Sequence, residues 1–444
     1  MAPRPETEDE GQRTKDQAPG TIMPYYRRNL YVLSAAIFLT AVSWNQVIPF
    51  LPLFMKDMGV RHNLLAWVGW IFALQAASSI FAQPLWGKVG DRYGRKPMAI
   101  RAGLCLVGIY FGMSFCTNVL QLAILRFLNG ALTGFIPMSM ALIATNTPQE
   151  HAPRSIATAQ TSSAAGLIVG PALGGLLAGL VGYRGAMQVS GAAVLLSTLL
   201  VWLLVQEPNK AALAEPTGLL QDFAISLRSR VLSSIMLTVM VFGIYGASIN
   251  PILALHLSNM NGRAPVWLTG LVFSLPATAL MLTAHSWTRF GERWGYHRGI
   301  HMGLIGAGIC ALALAFVHSI WVFSGIFFVA GIFLAAINPS TGAIICTRVD
   351  VSFRGRAYGM QQSATMLGML IAPLVATNIG AAFGIQWVFA FIGVVSLIGS
   401  VIFPFLAGRR GAETLHEDPL IEPVVEQIPR RMQSPDVQDS GALR

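Results

Sequence analysis

Residues 86–97 read Trp-Gly-Lys-Val-Gly-Asp-Arg-Tyr-Gly-Arg-Lys-Pro and stand between two long apolar stretches. Asp91 is a single acid among bases, and Arg95 follows it by four residues, close enough to clamp or neutralise it. Gly87, Gly90 and Gly94 allow a tight backbone turn at low steric cost. A damaged copy returns at 287–298, where Trp287, Arg289, Gly291, Glu292, Arg293 and Gly295 each follow Trp86, Lys88, Gly90, Asp91, Arg92 and Gly94 by 201 residues. So much charge cannot be stripped into hydrocarbon, so the segment is expected as a short polar turn on one membrane face. Its recurrence predicts two related halves, a common construction in secondary transporters.

Arg126 is the only basic residue well inside an apolar stretch. An unpaired guanidinium there costs several kcal/mol, so it either faces a bundle interior or wet cavity, or snorkels to the interface. No acid occupies a comparable place: Asp57, Asp91, Glu150, Glu207, Glu215, Asp222, Glu292 and Asp350 all fall at span ends or in loops. His256, His285 and His301 stand near span ends, as interfacial anchors or titrating groups. The cysteines 105, 116, 310 and 346 lie in apolar segments without CxxC or His spacing, which argues for packing and against a metal site or disulfide framework.

These residues must be positioned by membrane helices. Of 444 residues, 54% are hydrophobic and 11% charged, and the apolar residues come in runs of about 20, enough to cross the hydrocarbon as helix. Spans are predicted at 29–55, 64–86, 98–116, 119–146, 155–180 and 184–205, then 232–257, 265–286, 299–317, 320–346, 357–382 and 386–407. The expected fold is all-α, with twelve transmembrane helices in two six-helix bundles, 27–205 and 232–407. A linker at 206–231 joins them, and tails cover 1–26 and 408–444. Arg27, Arg28, the bases from Lys88 to Arg101, Arg154, Arg289, Arg293, Arg298, Arg348 and Arg354 share one side, against Lys56, Arg61, Arg184 and Arg263 on the other. Basic loops stay cytoplasmic, which places both termini and the linker there. The net charge of +10 is explained by this topology and does not call for nucleic acid. The tails hold 12 of the 20 acidic residues and read as disordered. Gly218–Arg230 puts Leu219, Leu220, Phe223 and Leu227 on one face, as a surface helix or a partly ordered connector.

The repeat continues through Gly130/Gly331, Arg154/Arg356, Gln160/Gln362, Gly166/Gly368 and Pro171/Pro373, and an even number of spans between the halves makes it parallel. Gly87–Pro97, Leu125–Gly130, Gly166–Gly175 and Asn45–Pro52 together resemble signatures of the major facilitator superfamily, within it the twelve-helix drug:proton antiporters of bacterial multidrug efflux. The resemblance implies that Gly87, Gly90, Asp91, Arg92, Gly94 and Arg95 form a gating latch, with Asp91 facing the N-terminus of the eleventh helix. It gives Arg126 a part in proton coupling. Gly166, Gly170, Pro171 and Gly174 suit a packing seam or a hinge equally by spacing, and the resemblance favours a hinge. By family analogy the substrate cavity draws on Asn45, Gln46, Met138, Met140, Tyr245, Asn250 and Asn338, with Gln361 and Gln362 from the eleventh span.

The expected activity is export of amphiphilic drugs or small metabolites across a bacterial inner membrane, coupled to protons, by a monomer without cofactor or metal. A dedicated secreted metabolite such as a siderophore, or nutrient uptake on the same fold, is the alternative; the fifth-span motif favours export. An enzyme is disfavoured because no nucleophile–base pattern or phosphate-binding loop is present, and no Walker motif points to ATP.

Overall fold

The computed structural model describes residues 24–60, 62–148, 150–208, 229–260, 265–349 and 354–407. The expected tails and the Gly218–Arg230 surface helix lie outside these, apart from Pro24–Tyr26 and from Ser229 and Arg230 at the start of the seventh span. Every described element is helical, because a backbone in hydrocarbon must satisfy its own hydrogen bonds.

The spans are Tyr25–Val47 continued by Leu51–Asp57, Leu64–Tyr93, Arg95–Ser114, and Val119–Leu132 continued by Phe135–Asn146. A 53-residue helix, Ala152–Leu204, supplies the fifth and sixth. The second half runs Arg230–Ile249 with Leu253–Met260, Val266–Trp294, Tyr296–Leu314, Ile320–Leu334 with Ile337–Arg348, Arg354–Phe383 and Gln386–Ala407. By length and composition 11 helices are apolar enough to cross a membrane. The longest crosses twice, reversing at Gly182 (φ 74). Its first arm rises along the first span, Gly166 against Ala41 and Gly174 against Gln46. The second returns, with Gln46 donating to the Ala186 carbonyl at 2.8 Å, Thr40 and Ser197 hydroxyls 3.0 Å apart, and Asn29 donating to the Gln206 carbonyl at 2.7 Å. Twelve crossings result.

Each half keeps its own apolar core. One cluster gathers Leu33 to Val205 and the other Leu232 to Phe403. Side chains such as Phe81, Leu180 and Phe405 stay exposed on the outer circumference, the face a lipid tail would cover.

Two local features repeat in three dimensions. The charged turn is tighter than the sequence suggested: helix continues to Tyr93, reverses at Gly94 alone (φ 106), and restarts at Arg95. Gly295 (φ 95) does the same in the second half, and both N–H groups donate to a carbonyl four residues back at 2.9 Å. A side chain would be strained at either φ. The turns are pinned alike, Trp86 Nε1 donating to the Ala131 carbonyl and Trp287 Nε1 to that of Ile332, each at 2.7 Å. Spans 1, 4, 7 and 10 are interrupted in matched places. Pro49 and Pro251 sit inside their breaks, while Pro137 and Pro339 follow the breaks at Thr133–Gly134 and Ala335–Ala336. A proline removes one i→i−4 bond and its ring crowds that carbonyl, which opens the helix just before it.

The fifth-span glycines form a seam against the first. A Cβ at Gly170 would lie 2.7 Å from the Asn45 Cβ, and one at Gly174 would collide with the Gln46 carbonyl. Gly174→Ala should therefore cost about 1–3 kcal/mol by overpacking and lower the thermal midpoint of the purified protein. Gly179→Ala on the same helix, where a Cβ meets nothing within 4 Å, should leave the midpoint unchanged or raise it. Equal midpoints for both variants would mean that the seam opens freely.

Candidate functional site

Two adjacent chambers open on the inner face of the first half, the smaller one also walled by the second. The larger, about 610 Å³, is walled by Thr40, Trp44, Asn45, Phe135, Met140 and Gln362, among others, and includes the broken segment of the fourth span. The smaller, about 170 Å³, is walled by Gln75, Ser79 and Arg126, with Ala247, Asn250, Met366 and Met369 from the second half. Trp44 and Gln83 belong to both walls. A discontinuous helix frees backbone groups at membrane depth, which is tolerated where it lines a cavity.

Arg126 is 4% exposed. It neither snorkels nor meets an acid: Nη1 donates to Gln75 Oε1 at 2.9 Å, and Gln75 Nε2 donates to Asn129 Oδ1 at 3.1 Å. Nε and Nη2 have no hydrogen-bond partner. Gln75 reaches this position because Gly130 lets the second and fourth spans touch; a Cβ there would strike Ser78 Oγ and the Gln75 carbonyl. Ser78 then donates across the contact to the Phe127 carbonyl at 2.8 Å.

At the charged end, Asp91 pairs with Arg95 inside its own turn, Oδ1 to Nη2 at 3.0 Å. This is the single ion pair among the described residues. Arg95 Nη1 also donates to the Ala141 carbonyl at 2.7 Å, fastening the turn to the fourth span. Glu207, just past the sixth span, accepts from the backbone N–H of Arg95 at 2.7 Å and of Lys96 at 2.9 Å. A carboxylate on these free N–H groups also complements the positive end of the third helix. Gly87 and Arg92 contribute space and exposed charge, and Gly90 packs on Met138, whose Sδ would be 3.0 Å from an added Cβ.

Among the described residues, backbones of the two halves meet at the opposite end. Gly69 lies against Thr377 and Pro373. Gly175 and Gly270 form the other contact, where a Cβ on the first would sit 2.9 Å from the Cα of the second, and the Pro171 carbonyl faces Gly270. Pro171 is thus at an inter-bundle contact, while Gly166, Gly170 and Gly174 hold the first span.

Of the expected cavity residues, Asn45, Met140, Asn250 and Gln362 line the chambers. Gln46, Met138 and Tyr245 do not: all three are buried in bundle cores, Gln46 bonded to Ala186 and Ser190 of the sixth span. The correction is geometric. Residues one or two apart on a helix point in different directions, and here Asn45 and Met140 turn to the larger chamber while Gln46 and Met138 turn into the bundle core. Asn338 is exposed and on neither wall, and Gln361 donates to Thr341 Oγ1 at 3.1 Å, joining spans 10 and 11. His256 packs on Phe323 and Phe389, and His301 Nδ1 is 3.0 Å from the Ser400 carbonyl. Sequence reasoning missed Gln75, Asn129 and Glu207. A glutamine one helical face away from Gly69 and Ser79 carries no motif, and only the proximity of spans 2 and 4 reveals it.

The family model of the Major Facilitator Superfamily matches residues 33–284 and 231–434. The multidrug resistance protein MdtG of Serratia proteamaculans (strain 568) is 30% identical over 91% of this chain and 100% of its own. That of Proteus mirabilis (strain HI4320) is 29% identical over 86% and 96%. Among solved structures, the nucleoside transporter NupG superposes with a TM-score of 0.73 at 16% identity, covering 86% of this chain and all of that one. A bacterial homologue of the human lysosomal transporter Spinster, inward-facing and occupied, gives 0.72 at 14% identity over 87% and 98%. These structures share the fold.

Because Gln75 is the acceptor for Arg126, Gln75→Leu should destabilise the protein by about 1–3 kcal/mol, the cost of a buried charged donor losing its acceptor. Gln75→Glu, which supplies a carboxylate at the same reach, should not. Thermal unfolding in detergent separates the two; an unchanged Gln75→Leu midpoint would show that the contact carries no stability.

Proposed function

The chain belongs to the major facilitator superfamily, and on that premise we propose that this multi-pass membrane transporter exports amphiphilic drugs or small metabolites from a bacterial cytoplasm, taking protons in return. The observation that carries the reading is a chamber between two bundles, apolar in most of its wall, with one buried guanidinium in it. An apolar wall that includes Met140, Met366 and Met369 accommodates ligands of varied shape. The relatives that carry the name multidrug resistance protein support the same substrate breadth.

Alternating access follows from where the bundles touch. The basic turns are taken as cytoplasmic by the positive-inside rule, which makes the glycine contacts Gly69–Thr377 and Gly175–Gly270 the outer gate, closed, and this state inward-facing. The bodies that rock are 27–205 and 232–407, joined by 206–231. Arg95 and Glu207 hold the turn in shape, with Asp91 paired to Arg95 inside it. In the outward-facing state the eleventh span swings in, and Asp91 meets its N-terminal N–H groups, latching the inner side. Pro171 and the glycines around it let the fifth span adjust as the Gly270 contact opens.

Proton coupling centres on Arg126, the one charge placed deep between the bundles. Its electrostatic field penalises a cation in the chamber and favours an anion, so it opposes a proton in transit and admits an anionic substrate.

Arg126→Ala should abolish gradient-driven export in proteoliposomes with an imposed pH gradient while leaving some ligand binding. Arg126→Lys should rescue poorly, since an ammonium lacks the planar fork. Uphill export by Arg126→Ala with protons as the sole driving ion would remove the residue from coupling. Asp91→Asn should reduce export severalfold at matched protein level, and full activity would remove the latch.

A further inference from the structure

The two halves are built alike but not charged alike. Gly130 meets Gln75 and Ser78, and Gly331 meets Pro276 and Ala279, so the contact of spans 2 and 4 and that of spans 8 and 10 superimpose with the 201-residue spacing. At that spacing Arg126, Gln75 and Asn129 correspond to Phe327, Pro276 and Ala330. Phe327 and Ala330 are buried and apolar. Among the described residues the polar triad therefore occurs once; through Arg126 and Gln75 it reaches the smaller chamber, where Ala247, Asn250, Met366 and Met369 stand on the other side.

Arg126 is also only partly used. Nη1 is committed to Gln75, while Nε and Nη2 are buried and unpartnered. Those two nitrogens form the lateral edge of the guanidinium, whose parallel N–H bonds match the two oxygens of a carboxylate. Leaving them unpaired in a low-dielectric site is costly, and no described acid pairs with Arg126. The wall offers acceptors such as Asn250 and Gln83 but no negative charge.

Building on the export reading, we propose that the smaller chamber is an oxyacid head-group site. It takes amphiphiles carrying one carboxylate-like anion, the head bidentate on Arg126 Nε and Nη2, and the apolar body directed at Met366 and Met369 and past Trp44 into the larger chamber. The single triad fixes the ligand's polarity: head to the first bundle, body to the second. A ligand with a cationic head is rejected, because its charge would face the guanidinium without a counter-charge.

The test uses the full-length protein in detergent and a matched pair of fluorescent probes, 11-(dansylamino)undecanoic acid and its carboxamide, read by energy transfer from tryptophan, Trp44 being in the chamber wall. Wild type should bind the acid about tenfold or more tighter than the amide. Arg126→Gln, which removes the charge and leaves a shorter polar amide, should lose the preference for the acid over the amide. Arg126→Lys should retain a reduced preference. Equal affinity of wild type for acid and amide, or an undiminished acid preference in Arg126→Gln, would overturn the head-group site while leaving amphiphile export standing. Binding of neither probe would overturn both readings.

Discussion

Arg126 places a permanent charge at membrane depth with a carboxamide for its only partner, and much of the surrounding architecture answers to that cost. A guanidinium there must be walled off from lipid, so the fourth span has to turn this face inward. Gln75 must come from the second span, which requires the two backbones to touch, and Gly130 permits that contact. Asn129 then orients the Gln75 amide so that its oxygen, not its nitrogen, faces the arginine. One helical turn further on, Thr133 and Gly134 leave the helix and Pro137 keeps it open, giving the larger chamber its irregular wall. Charge, contact and cavity are thus consecutive consequences along a single helix.

The ends of the molecule divide the labour. At one end small residues bring backbones of opposite bundles together, which needs neither charge nor hydrogen bonds and can be undone by a rigid rotation. At the other end, charges are satisfied within the first bundle: Asp91 by Arg95, Arg95 also by Ala141, and the third helix's free N–H groups by Glu207. Because Glu207 begins the connection to the second half, the turn and the connector share one anchoring carboxylate.

Much of this was legible in the sequence because it is written in composition and spacing. Charge density marked the turns, the 201-residue recurrence marked two halves, and runs of apolar residues marked the spans. What escaped was whatever depends on rotation about a helix axis or on a neighbour far away in sequence. Hydropathy cannot distinguish a continuous helix from one broken at Thr133 and Gly134, since both flanks are equally apolar. It also cannot tell that Asn45 faces the chamber while Gln46, one residue on, turns 100° to meet Ala186. The fifth-span glycines read equally as seam or hinge until the first span was seen lying against three of them. Gln75 and Glu207 carry no motif, being ordinary polar residues that matter through partners 51 and 112 positions away.

The comparison of the two halves separates what the fold needs from what the chemistry needs. Both halves keep the left-handed glycine at the turn, the tryptophan donating to a carbonyl across spans, and a glycine where two helices cross. These are backbone requirements, and any six-helix bundle of this design must meet them. Arg95 becomes Tyr296, which packs against Gly291, and Arg126 becomes Phe327, which packs in the core. A second buried guanidinium would incur the desolvation cost again and place two like charges across one small chamber, each raising the cost of the other. Keeping the charge in one bundle gives the chamber a direction instead: charged on one body, uncharged on the other. On the proposed export cycle, an amphiphile bridging the two bodies would lose its head contacts and its tail contacts to different bundles as they rotate apart, so that opening alone would release it.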